Sequence, residues 1–141
     1  LRLPRVLAAF MTGGLLALSG GMMQSLLQNP LADPYTLGVS GGASFSTLCC
    51  LCFGFSLWGV QFGTWVGALF SFIILWTCCH RNFSHHRILL LGVMLNFIWS
   101  AGMSLILSIA PERGLKGMLF WLMGSLNGSD LKDFHIVLYI V

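Results

Sequence analysis

Charge is what this sequence lacks. Asp and Glu number 4 and Lys and Arg 7, together 8% of 141 residues, where an ordinary soluble domain carries about a quarter. That scarcity excludes a water-solvated globular surface. The stretches 6–32, 34–80 and 88–111 contain no Asp, Glu, Lys or Arg at all. A run of roughly 18 or more apolar residues is enough to cross the bilayer, so the chain reads as a membrane protein, with room for two crossings in 34–80. The formal charge of +3 is spread over connecting segments, which excludes the concentrated basic face of a nucleic-acid binder. A cleavable secretory signal does not fit, because the apolar pattern recurs along the whole chain. Proline is also sparse, yet two of the 4, Pro30 and Pro34, stand almost together.

What the chain has in quantity is hydrocarbon, 57% of residues, with a mean hydropathy of +0.87. The apolar runs predict span I over 6–27, span II over 37–56, span III over 58–79, span IV over 88–110 and the start of span V at 134–141. Residues 117–126 are apolar but too few to cross, which suits a re-entrant or interfacial helix. The expected fold is therefore an all-α polytopic transmembrane bundle with about four full spans. The absence of an initiator Met and the abrupt LRLPR beginning read as a fragment that lacks an earlier segment.

Small and polar residues recur at every fourth position of each span. Span I has Gly13, Ala17, Gly21 and Ser25; span II has Gly38, Gly42, Ser46, Cys50 and Gly54; span III has Gly59, Gly63, Gly67 and Ser71; span IV has Gly92, Asn96, Ser100, Ser104 and Ser108. Lipid tails are as apolar as Leu, so helices in a bilayer associate through close backbone approach and hydrogen bonds, which such rows permit. All four rows are expected to be packing seams. Asn96 lies in mid-span, where an amide needs a partner, and with Ser100 and Ser104 it either glues helices or lines a pathway.

Three constellations hint at chemistry. GVSGG at 38–42 matches the G-x-S-x-G pattern and resembles the serine site of intramembrane rhomboid proteases. Ser40 would need a base within hydrogen-bond reach, whereas the histidines sit in a polar loop or at the start of span V, so a Gly/Ser helix entry is the better reading. His80, His85 and His86 lie beside Arg81 and Arg87 without a carboxylate or Cys at zinc spacing, and read as a solvated loop. Cys49, Cys50, Cys52, Cys78 and Cys79 fall within spans and read as small apolar packing residues. No catalytic residue, metal site or cofactor is expected.

The segment 25–44, SLLQNPLADPYTLGVSGGAS, interrupts the hydrocarbon. Asn29-Pro30 and Asp33-Pro34 push the residue before each Pro out of the helical region, so span I must end near Gln28 and span II can begin only after Pro34. Gly38, Gly41 and Gly42 then allow close packing. RLPRVLAAFMTGGLLALSGGMMQSLLQNPLADPYTLGVSGGAS (2–44), HRILLLGVMLNFIWSAGMSLIL (86–107) and MLFWLMGSLNGSD (118–130) together resemble, in the same order, the FecCD-type permeases, membrane subunits of ABC importers for iron-siderophores, haem and vitamin B12.

The resemblance implies a ten-helix permease in the bacterial cytoplasmic (inner) membrane. Its implied partners are a second permease copy, two cytoplasmic ABC ATPase subunits and an extracytoplasmic substrate-binding protein. The 1–141 chain would supply the second to fifth helices and the start of the sixth, with ATP hydrolysed by the partner subunits. Arg2 and Arg5 of the RLPR block would dock the binding protein. His85 and His86 would stand at the cytoplasmic gate, where the family often has small hydroxyl residues. Asn29, Pro30, Asp33, Pro34 and Gly38 would shape a cytoplasmic connection. The implied topology puts Arg2, Arg5, Arg113 and Lys116 outside against Arg81 and Arg87 inside, opposite to the positive-inside rule, so the outer arginines call for a functional reason.

Overall fold

The computed structural model describes residues 3–80 and 84–124. Those residues form helices α1 (Leu3–Leu27), α2 (Val39–Cys52), α3 (Leu57–Cys79), α4 (His85–Ile109) and α5 (Glu112–Met123), with a 3-10 turn at Pro34–Leu37 ahead of α2. No strand occurs among the described residues. An all-helical architecture is what hydrocarbon demands, since each helix satisfies its own backbone. α1, α3 and α4 are long and apolar enough to cross a membrane.

The expected span over 37–56 is not one helix. α2 has 14 residues, about 21 Å at 1.5 Å per residue, against roughly 30 Å of hydrocarbon. Two glycines set its limits. Gly38 is left-handed, with φ 74°, and separates α2 from the 3-10 turn. At the other end Gly54, φ 72°, sits in a Schellman arrangement: Phe55 N–H donates to Cys50 O at 3.0 Å and Gly54 N–H to Leu51 O at 3.1 Å. These bonds satisfy carbonyls that the helix end would leave free. The short helix expected over 117–126 also shifts, because α5 starts after Pro111 and stops before Gly124, whose positive φ of 74° and ψ of 147° leave the helical region. Span V at 134–141 lies outside the described residues.

α2 is the hub, packed chiefly on α3 and also on α4, the 3-10 turn and α5. Its small-residue row meshes with that of α3. A Cβ on Gly42 would lie 2.6 Å from Ser71 Cβ and 2.8 Å from Gly67 O, and one on Gly67 would collide with Gly42 O and Ser46 Cβ. Ser46 Oγ donates to Gly63 O at 2.7 Å, and the Thr47 and Thr64 hydroxyls are 2.6 Å apart. Thr47 is fully buried. The backbones thus approach as closely as non-bonded atoms permit, and hydroxyls close the remaining gaps.

The row on α1 behaves differently from the expectation. Among the described residues nothing lies within 4 Å of a Cβ built on Gly13, Gly14, Gly20 or Gly21. α1 joins the core through its C-terminal end, where Leu27 is buried and Met23 packs on the cluster. The upper row of α4 is open as well, with Ser100, Ser104 and Ser108 exposed.

Gly67→Leu places an isobutyl group between touching backbones, and overpacking of this kind costs about 1–3 kcal/mol or more. The detergent-solubilised full-length protein should melt several degrees earlier, as read by thermal unfolding. A wild-type melting temperature would mean that the α2–α3 seam is not closed as described.

Candidate functional site at the Asn29–Gly38 connection

The break between α1 and α2 is built from side chains that replace helical hydrogen bonds. α1 ends at Leu27, and Gln28 takes a left-handed φ of 48°. Asn29 Oδ1 then accepts from Leu31 N–H at 3.0 Å, and Asn29 O accepts from Ala32 N–H at 3.1 Å. Asn in this position mimics a backbone turn. Asp33 caps the 3-10 turn: its Oδ1 accepts from Thr36 N–H at 2.6 Å, while Thr36 Oγ1 donates to Asp33 O at 2.7 Å. Pro34 occupies the first helical position, where a missing N–H leaves no bond unmade. The two X-Pro steps therefore stop and restart the helix where the residues required.

The connection is seated in a socket made by α3 and α4. Leu27, Ala32 and Leu37 form one buried cluster with Leu75 and Cys79 from the end of α3 and with Ile88 and Leu95 from α4. Gly92 makes the seat possible. A Cβ there would collide with Thr36 O and come within 2.9 Å of Leu37 Cα. Gly38 answers it from the other side, since its own Cβ would lie 2.9 Å from Leu95 Cβ and 3.0 Å from Gly92 O. Gly38 is thus required twice, by its left-handed φ and by the approach of α4.

Polar groups then lock the seat. Gly38 O accepts from Gly42 N–H at 3.1 Å and from Ser71 Oγ at 2.8 Å. Ser71 Oγ in turn accepts from Trp99 Nε1 at 3.0 Å, and Ser71 is fully buried. Trp99 is held by Phe45 and Phe70, with ring centroids 5.2 Å and 6.2 Å away. Asn96 Nδ2 donates to Tyr35 O at 3.0 Å, a carbonyl that also receives Gly38 N–H. Asn96 Oδ1 is buried with no hydrogen-bond partner among the described residues, and a Cβ on Gly41 would lie 2.7 Å from it. One short connection is therefore gripped by α3 through Ser71 and by α4 through Gly92, Asn96 and Trp99.

Ser40 lies one residue into α2, and its Oγ is buried with no hydrogen-bond partner among the described residues. Among the described residues no base hydrogen-bonds to it, and nothing supports the serine-protease reading. Ser100 and Ser104 are exposed on α4, with Ser104 Oγ donating back to Ser100 O at 2.9 Å. His85 and His86 are exposed in the first turn of α4. Arg5 is exposed in the first turn of α1, and Arg2 lies outside the described residues. Among the described residues no group of three or more His, Cys, Asp or Glu is placed to hold a metal ion.

Sequence reasoning missed how the lock is assembled. Ser71 and Gly92 were visible as members of small-residue rows, but nothing local pairs them with residues 36–38. Trp99 gave no signal, because a lone indole in an apolar run looks like any lipid-facing aromatic.

Fold and site together define a polytopic helical membrane protein whose bundle is closed by small residues around a broken connection. The chain belongs to the FecCD transport family, whose model matches residues 1–141. It is 36% identical over its whole length to a vitamin B12 import system permease protein, BtuC, of Citrobacter koseri, and 35% identical to BtuC of Escherichia coli O1:K1. In both cases it covers 44% of the relative, so the chain spans under half the length of the curated relatives it matches. A solved inward-facing structure described as of metal-chelate type ABC transporter superposes with a TM-score of 0.86 at 34% identity, covering 96% of this chain and 44% of that one.

Ser71→Ala removes a donor from Gly38 O and leaves the Trp99 N–H without its acceptor, which costs about 1–3 kcal/mol for a buried group. Trp99→Phe removes the indole donor. A double-mutant cycle on thermal stability should show a coupling of at least about 0.5 kcal/mol. Additive losses would mean that the two side chains do not act through one bond.

Proposed function

We propose that the protein containing this chain is the permease subunit of an ATP-binding-cassette importer that carries a metal-chelate or corrinoid nutrient across the bacterial cytoplasmic membrane. The observation that carries the reading is family membership along residues 1–141, supported by relatives named as vitamin B12 import permeases. In this reading the chain performs no covalent chemistry. ATP is hydrolysed by two cytoplasmic subunits, and a second permease copy completes the pathway.

Individual residues take roles on that basis. Arg2 and Arg5 dock the extracytoplasmic binding protein, and the exposure of Arg5 suits this. Guanidinium can meet a carboxylate through two hydrogen bonds, so Lys is an imperfect substitute. His85 and His86 stand exposed at the entry of α4, in the position of the cytoplasmic gate. Ser100 and Ser104 face outward from α4 and line the pathway, while Asn96 serves packing through its bond to Tyr35.

Reconstituting the full-length permease with its ATPase and binding-protein partners in liposomes tests the assignment. ATP-dependent accumulation of cobalamin, a ferric siderophore or haem is expected for one of the three. Accumulation of none, with ATPase activity indifferent to the loaded binding protein, would overturn it. Arg2→Glu with Arg5→Glu should weaken capture of the binding protein, and Lys in place of its facing acids should restore it. Capture that survives reversal at low salt would reduce the arginines to membrane-interface anchors.

A further inference from the structure

The three cysteines at the end of α2 part company in the fold. Cys50 turns into the α2–α3 seam, where a Cβ on Gly63 would collide with its Sγ. Cys49 and Cys52 line one open groove of about 460 Å³ between the C-terminal halves of α2 and α4, with Phe45, Phe53, Leu105 and Ile109 among its walls, while Cys49 also borders a smaller groove beside Cys50. A C-x-x-C pair thus shares a cavity whose lining, among the described residues, contains no charged side chain.

Helical spacing decides what such a pair can do. Residues three apart on a helix have Cβ atoms roughly 5–6 Å from each other. A disulfide needs about 3.5–4.5 Å between Cβ atoms, so closing one would distort the last turn of α2. Two sulfurs bound to one trivalent atom, with bonds of about 2.3 Å as for zinc thiolate and nearly at right angles, lie about 3.3 Å apart, a separation that thiols on Cβ atoms roughly 5–6 Å apart can reach by side-chain rotation alone. The apolar walls add a second condition. A net charge left in the groove would be costly, so the bound species should be neutral once both thiols have lost their protons.

We propose that Cys49 and Cys52 form a bidentate dithiol site for neutral thiophilic electrophiles of the trivalent organoarsenical class, R–As=O. Two As–S bonds form, the As=O bond and two S–H bonds break, and one water leaves with both protons. Arsenic stays trivalent, so no oxidant or reductant is needed. An aromatic R group lies against Phe45, Phe53 and Leu105. The site is independent of what the protein transports.

Phenylarsine oxide applied to the detergent-solubilised full-length protein is the direct test, read by intact mass and peptide mapping. One adduct is expected, heavier by the reagent less one water, spanning Cys49 and Cys52, stable to excess monothiol and released by a dithiol. The second As–S bond is intramolecular, and chelation of this kind raises affinity about 100-fold or more. Cys49→Ser and Cys52→Ser should each lose that retention, while Cys50→Ser and Cys78→Ser keep it. Absence of the adduct from the wild-type protein, or an adduct mapped to Cys50 or to Cys78 and Cys79, would overturn the site without recourse to any variant.

Discussion

The backbone of Thr36 and Leu37 rests directly on α4 at Gly92, and the remaining packing is arranged around that contact. A broken helix exposes peptide groups that hydrocarbon cannot hydrogen-bond, so irregular backbone in a membrane protein survives only when protein covers it. Here the cover is a glycine, which lets α4 lie close enough for Asn96 to reach Tyr35 O. A larger residue at position 92 would lift the connection off α4 and separate that bond as well.

From this seat the position of α2 follows. Gly38 turns the chain through a left-handed φ, and its carbonyl is taken by Ser71, so α2 leaves the connection already fastened to α3. The antiparallel run then brings Gly42 opposite Gly67 and Ser46 opposite Gly63. Rows spaced at i and i+4 suit this, since they let backbones meet where lipid gives side chains no hydrophobic reason to associate. α2 can be short because both of its ends are finished by protein: a lock on one side and a Schellman turn on the other. This arrangement belongs to a chain of the FecCD transport family.

Much of this was legible in the residues. Scarce charge and long apolar runs required membrane-crossing helices, and the Asn-Pro and Asp-Pro steps set where α1 stops, because proline's effect is local and obligatory. The rows on α2 and α3 announced a seam, since nothing else favours glycine in a helix. The length of span II was not legible: hydropathy continues through Gly38 and Gly54, and only their left-handed conformations end the helix. The open row on α1 was not legible either, because a small-residue row shows what a helix can accept and not what lies against it. The Trp99–Ser71–Gly38 relay joins residues 28 and 33 positions apart in sequence, and no local pattern encodes such a pairing. Cys52 looked the same as Cys50 until the helix turned Cys50 towards Gly63 and Cys52 into the groove beside α4.

Hydrogen–deuterium exchange of the peptide covering residues 28–42 in full-length Gly92→Val is the most direct measurement of the central claim. The seat predicts slow exchange in the wild-type protein at the amides of Thr36, Gly38 and Gly42, whose N–H groups are bonded within the connection and the start of α2. It predicts faster exchange there in the variant, with the middle of α3 unchanged. Equal protection of residues 28–42 in both proteins, with the variant stably folded, would show that the connection does not depend on its contact with α4.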